Sequence, residues 1–242
     1  MKRWILASCL VLIAALGILI PAGAQASTVA SGMLTSGKPV KATISSPGQQ
    51  VTYTFAATAN KNVTFNVTRF NFTDSQGPVQ VSLNFYEPGS SSLYTQANFQ
   101  ANGFYNFAPP ESGTWKIALV PYAATVGSLT LTFANDVPTK ALTSGTPVTT
   151  TLTYEGQEAG YTFAATANKN VTFNVTHFNF TDSQGPVQVS LNFYEPGSSS
   201  LYTQCNFQAN GTCSLKTPVG GTWKIALVPY AATVGSLTLK LT

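Results

Sequence analysis

Apolar and polar residues alternate along most of this chain. Val51, Tyr53 and Phe55 alternate with Thr52 and Thr54; Val63, Phe65 and Val67 with Asn62, Thr64, Asn66 and Thr68; Val79, Val81, Leu83 and Phe85 with Gln80, Ser82 and Asn84. A period of two puts successive side chains on opposite faces of an extended backbone, so these runs predict half-buried antiparallel strands. Trp115, Ile117 and Leu119, then Leu129, Leu131 and Phe133, continue the pattern. Turn formers separate the runs at Pro47-Gly48, Asn60-Lys61, Gly77-Pro78, Pro88-Gly89, Asn102-Gly103 and Ser112-Gly113. No stretch sustains a helical period. The spacing predicts about eight strands per unit in a β-sandwich of jelly-roll type.

The unit is written twice. A shift of 108 residues aligns Leu34-Thr35-Ser36-Gly37 with Leu142-Thr143-Ser144-Gly145 and continues without a gap to the C-terminus. Between Tyr53 and Gly103 only two positions differ from the second copy: Arg69 becomes His177 and Ala97 becomes Cys205. The stretch from Thr114 to Leu131 recurs as Thr222 to Leu239, whereas Phe104 to Gly113 and Thr212 to Gly221 diverge. Two tandem, self-contained antiparallel β-sandwich domains are therefore expected, at 27–135 and 141–242. Residues 136–140 form a short polar connection stiffened by Pro138.

Ahead of the first unit stand Met1-Lys2-Arg3, an apolar run from Trp4 to Ile20, Pro21, and the small residues Ala22-Gly23-Ala24-Gln25-Ala26. This order predicts a secretory signal peptide over 1–26, with the mature chain starting at Ser27. Retention of the run as a membrane anchor is the alternative. No other segment is long and apolar enough to span a bilayer, so no transmembrane domain is expected in the mature protein, which is read as secreted, extracellular or envelope-associated.

Composition narrows the function classes. Charged residues are only 8% of the chain while apolar residues reach 44%; uncharged Thr, Ser, Asn and Gln fill the difference. That excludes a coiled coil and a highly charged disordered chain. Without Lys2 and Arg3 the balance is 10 basic to 8 acidic side chains, which leaves no electrostatic footprint for nucleic acid.

Candidate chemistry is sparse. His177 is the single histidine, and its counterpart is Arg69, so a histidine-dependent catalytic site could exist in one copy at most. No His/Cys cluster has metal-ligand spacing, and no metal or cofactor is expected. Asp74 and Asp182 read as turn residues bonding their own backbone. Cys205 and Cys213 flank an Asn210-Gly211 reversal and are both replaced in the first copy, by Ala97 and Tyr105. Paired appearance predicts a disulfide in an oxidising compartment. Asn-x-Thr triplets at Asn62, Asn66, Asn71, Asn170, Asn174, Asn179 and Asn210 arise from the alternation itself, and the Asn/Thr face is expected to be solvated. Phe55, Phe65, Phe85 and Trp115, with their copies Phe163, Phe173, Phe193 and Trp223, are expected in the core. Tyr86, Tyr94 and Tyr122, with Tyr194, Tyr202 and Tyr230, fall out of phase or beside turns, where they could stack on sugar rings or pack at the sandwich edge.

Tyr53-Thr54-Phe55, Leu83-Asn84-Phe85-Tyr86-Glu87-Pro88-Gly89, Gly113-Thr114-Trp115-Lys116-Ile117 and Gly127-Ser128-Leu129-Thr130-Leu131, repeated from Tyr161 to Leu239, resemble the bacterial pre-peptidase C-terminal domain. The resemblance covers essentially all of the mature chain and implies small secreted β-sandwiches that act as non-catalytic accessory modules. Members often carry Asp in the turn where this chain has Glu87 and Glu195. The resulting expectation is a non-enzymatic binding or envelope module whose partner is an extracellular polysaccharide or cell-surface component. A secreted hydrolase with an unrecognised site and a purely structural spacer are the alternatives.

Overall fold

The computed structural model describes residues 27–122, 125–230 and 233–242; the expected signal segment lies outside them. The first unit contains β1 (Thr28–Met33), β2 (Pro39–Ile44), β3 (Gln50–Ala57), β4 (Val63–Asp74), β5 (Gly77–Pro78), β6 (Val81–Tyr86), β7 (Leu93–Phe99), β8 (Gly103–Phe107), β9 (Gly113–Pro121) and β10 (Gly127–Asn135). The second repeats them as β11 (Val137–Ala141), β12 (Pro147–Leu152), β13 (Ala159–Ala165), β14 (Lys169–Asp182), β15 (Gly185–Pro186), β16 (Val189–Tyr194), β17 (Leu201–Phe207), β18 (Gly211–Thr217), β19 (Gly221–Pro229) and β20 (Gly235–Leu241).

In each unit, eight principal strands form two sheets. In the first, β3-β9-β6-β7 faces β2-β10-β4-β8, and the second has the same order. Connections such as β2 to β3, β7 to β8 and β9 to β10 carry the chain between sheets, so this is the expected jelly-roll arrangement. Two strands per unit were not anticipated. β5 and β15 are two-residue pairings at hairpin ends. β1 and β11 add a parallel edge to β3 and β13, departing from an all-antiparallel pairing.

The parallel edge changes the connection between the units. Val137 to Lys140, expected within a polar connector, belong to β11, and the Val137 N–H donates to the Glu158 carbonyl (2.9 Å). Pro138 is compatible with an edge strand because its missing donor faces away from the ladder. Asp136 alone separates β10 from β11.

Alternation places the apolar side of every principal strand between the sheets. Phe55, Phe65, Phe85 and Trp115 are buried, as are Phe163, Phe173, Phe193 and Trp223. Phe55 and Phe65 meet edge to face at 4.9 Å, as do Phe163 and Phe173 at 5.1 Å. Each such side chain removed from water contributes about 2 kcal/mol. The copies fill the space beside this cluster differently. Tyr105 and Phe107 pack on Phe85 at 5.5 and 5.1 Å; their counterparts are Cys213 and Leu215. Cys213 bonds Cys205. Cys205 lies on β17 and Cys213 on β18, in opposite sheets, so the disulfide ties the two layers together and does not close a hairpin within one sheet. The intervening Asn210 accepts the Phe178 N–H through Oδ1 (2.9 Å), as Asn102 accepts that of Phe70 (3.0 Å).

Candidate functional site

β9 and β19 end at Pro121 and Pro229, and the next residue in each copy is a tyrosine displayed outward. Tyr122 and Tyr230 are each 71% exposed. Their backbones are held: the Tyr122 N–H donates to the Gln80 carbonyl and the Tyr230 N–H to the Gln188 carbonyl, both at 2.8 Å. Thr125 and Thr233 return hydroxyl hydrogen bonds to the two tyrosine carbonyls, at 2.9 and 3.0 Å. The anchored backbone therefore holds out an exposed ring at the same place in each copy.

Tyr230 borders an open depression of about 370 Å³, with Asp182, Gln184, Gln188 and Gln208 around it. The β14–β15 turn fixes the acidic end of this site. Asp182 Oδ1 accepts the Gln184 N–H at 2.7 Å, and Asp74 Oδ1 accepts that of Gln76 at the same distance. Asp74, Gln76, Gln80, Gln100 and Tyr122 are the identical residues of the first copy. Side-chain amides both donate and accept, and a carboxylate accepts. Together with an aromatic face they suit a ligand that alternates hydroxyls with an apolar ring face. Among the residues lining the Tyr230 depression, Asp182 is the one carboxylate, whereas glycoside hydrolysis ordinarily needs two.

The other tyrosines named from sequence have different surroundings. Tyr94 and Tyr202 meet Trp115 and Trp223 edge to face, both at 5.2 Å. Lys116 Nζ sits 4.1 Å from the centre of the Tyr86 ring, and its counterpart Tyr194 lies with Lys224 beside the boundary between the units. The structure does not bring these six tyrosines into one site. His177 and Arg69 are exposed and occupy the left-handed conformation, at φ 52° and 51°. They stand where the pairing with β20 or β10 shifts register.

The boundary between the units holds features that repeat-by-repeat reading missed. The β12–β13 loop inserts against β4, β8 and β10. Thr64 Oγ1 and Asn66 Nδ2 donate to the Glu155 carbonyl, and Asn62 Nδ2 and Asn106 Nδ2 to the Gly156 carbonyl, all at 3.2 Å. Tyr154 Oη donates to the Gly37 carbonyl (3.0 Å), and Gln157 Nε2 to that of Asn135 (2.7 Å). Thr64 and Asn66 are consequently only 0% and 7% exposed. In the first copy, therefore, the middle of the Asn/Thr face is not solvated, because the second copy covers it, while Thr68 stays exposed.

Beside this joint lies a cavity of about 810 Å³ that includes Asp136, Glu158, Lys61 and Asn62. Asp136 Oδ1 accepts from Asn62 Nδ2 (3.0 Å) and from the Glu158 N–H (2.9 Å). Burial, followed by the neighbouring Asp136 charge, pushes the Glu158 carboxyl up to about 7. Burial also raises Asp136, against the opposing pull of its hydrogen bonds and of Lys61. The available sequence signal was the set of exchanges between copies, from Ser46, Pro47 and Gln50 to Tyr154, Glu155 and Glu158.

Neither the family models nor the curated proteins compared with the chain gave a match. Among solved structures, the chain is similar to the Aeromonas hydrophila periplasmic g-type lysozyme inhibitor PliG, at 16% identity, over 44% of this chain and 97% of that one, with a TM-score of 0.34. It is similar also to the pre-peptidase C-terminal domain of Bacillus anthracis collagenase, at 16% identity, over 45% of this chain and all of that one, with a TM-score of 0.33.

Proposed function

We propose that the protein is an exported, non-catalytic binding module that holds a polysaccharide or other glycan of the cell surface at two equivalent sites, one around Tyr122 and one around Tyr230. The carrying observation is that both copies present the same 71% exposed tyrosine, which in the second copy borders a depression with Asp182 and three glutamines whose counterparts in the first copy are identical in sequence. The Cys205–Cys213 bond favours an oxidising compartment. Because the units are docked at the joint, the spacing between the sites is set by the protein, which suits a repeating ligand. Simultaneous engagement would raise affinity for a polymer by roughly 10² to 10⁴ over that of one site. Binding of wild type, Tyr122→Ala, Tyr230→Ala and the double variant to a panel of soluble cell-wall and storage polysaccharides tests this. Each single variant should lose the avidity gain and the double variant should lose binding. A double variant that binds as wild type sinks the proposal.

A second reading, a hydrolase, is favoured by Asp136 and Glu158 beside the cavity of about 810 Å³, since a carboxyl pushed up to about 7 is suited to proton transfer near neutrality. Reducing-end release from the same polysaccharides by wild type but not by Glu158→Gln would support it. Asp136 Oδ1 is already engaged by Asn62 and the backbone, which favours a fastening role for that carboxylate.

A further inference from the structure

The joint is a knob in a socket, and each half recurs in the other copy, where no other described segment covers it. The knob is the turn at 153–158; its counterpart at 45–50 has the same internal bonds. Gln157 Oε1 accepts the Thr153 N–H at 2.9 Å and the Tyr154 N–H at 3.3 Å, while Gln49 Oε1 accepts those of Ser45 at 2.7 Å and Ser46 at 3.3 Å. Gly156 and Gly48 hold φ of 79° and 74°. Ser45, Ser46 and Pro47 are exposed, and a Cβ on Gly48 would have nothing within 4 Å. The socket residues Asn62, Thr64 and Asn66 recur as Asn170, Thr172 and Asn174. Thr172 and Asn174 are partly exposed, and Asn170 is exposed.

We infer that the chain associates head to tail with further copies of itself, the 45–50 turn of one copy seating on the open β14–β18–β20 face of the next. The intramolecular joint supplies the docking geometry, and its socket bonds go to the carbonyls of Glu155 and Gly156. Pro47 and Gly48 present carbonyls at those positions, so the bonds survive the change of side chains. In the open socket, Thr172 Oγ1 pairs with Ser214 Oγ (2.7 Å) and Asn174 Nδ2 donates to Thr242 Oγ1 (3.1 Å); rotation about χ1 exchanges these local partners for an incoming carbonyl. A knob and a socket on different surfaces make a heterologous contact, which extends as an open chain unless rotation closes it. Ser46 for Tyr154 and Ser214 for Asn106 remove hydrogen bonds of the covalent joint, and Lys240 puts a charged side chain where the joint has buried Thr132, so the association is weak and reversible.

Sedimentation velocity of the secreted protein between about 10 µM and 1 mM reads the association directly. The sedimentation coefficient should rise with concentration. Gly48→Ala should lower the association constant about tenfold or more, because a Cβ at the equivalent Gly156 would approach Thr64 Oγ1 to 2.5 Å. Asn174→Arg, on the other half, should do the same. Gly48→Ala retains an intact socket and Asn174→Arg an intact knob, so mixing the two should restore a one-to-one dimer and nothing larger. Ser46→Tyr combined with Pro47→Glu and Lys240→Thr should strengthen association. A single non-associating species throughout the range, or association that neither single variant reduces, overturns the inference.

Discussion

Replacing Glu158 with Gln, the residue its counterpart Gln50 already has, isolates one charge at the joint. The Glu158 carboxyl titrates at about 7 against an ordinary 4.5, chiefly through burial and then through Asp136. That difference corresponds to roughly 3 kcal/mol; because Glu158 is partly exposed, about 2 kcal/mol remains after solvent screening. A raised carboxyl binds its proton more tightly folded than unfolded. Its stabilising contribution is complete below pH 4.5, declines as the unfolded chain ionises, and is lost once pH passes through about 7. Glutamine does not titrate, so the variant should match wild type near pH 4 and exceed it by about 2 kcal/mol at pH 8. For a unit of about 100 residues that is roughly 8 to 16 °C in Tm. Asp136 keeps its own burial in the variant, so some slope should persist at lower pH. Urea melts of both proteins from pH 4 to pH 8 measure the difference. A gap that does not change with pH, or a variant less stable at pH 8, refutes the reasoning.

Two further outcomes concern local structure. Cys205→Ser with Cys213→Ser should destabilise the second sandwich by about 2.5 kcal/mol, from the entropy of an eight-residue loop; urea melting followed through the separate transitions of the two units should show the first unchanged. Arg69→Gly and His177→Gly should each stabilise by up to about 1 kcal/mol, because both residues hold the left-handed conformation that glycine adopts without steric cost; equal or lower Tm in both variants would contradict this.

The sandwich was legible because its determinants are local. Alternation over six to nine residues assigns faces, so Phe55, Phe65, Phe85 and Trp115 could be placed in the core without knowing which strands are neighbours. The parallel edge was not legible: Thr28–Met33 and Val137–Ala141 lack strong alternation, and parallel pairing with β3 or β13 depends on a distant partner. The disulfide pairing followed from co-occurrence in one copy, but its placement across the two sheets needed the topology. At the candidate site, the tyrosines were visible as out-of-phase aromatics. Distinguishing Tyr122 from Tyr94 and Tyr86 required knowing that Trp115 and Lys116 already lie against the latter two. The joint was invisible to any single repeat, since it is made from one half of each.

The differences between the copies follow that division of labour. Tyr53 to Gly103 and Thr114 to Leu131, which contain the tyrosine sites and most of the inner faces, recur almost unchanged. Exchanges are dense instead in β1, in β2 and the turn that leads to β3, in β8 and its exit, and at the end of β10. Several of these elements build the joint: the second copy's β12–β13 turn provides Tyr154, Glu155 and Gln157, and the first copy's β8 provides Asn106 beside the shared β4. Phe104 also belongs to β8, and a Cβ on Gly156 would approach its ring to 2.8 Å, so the joint adds a steric demand for glycine to that of the left-handed φ of 79°. Two equal sandwiches thus meet through unequal surfaces. That asymmetry fixes which unit gives the knob within a chain, while the unchanged backbone of the 45–50 turn and the unchanged Asn170-Val171-Thr172-Phe173-Asn174 strand leave the same contact available, in weakened form, between chains.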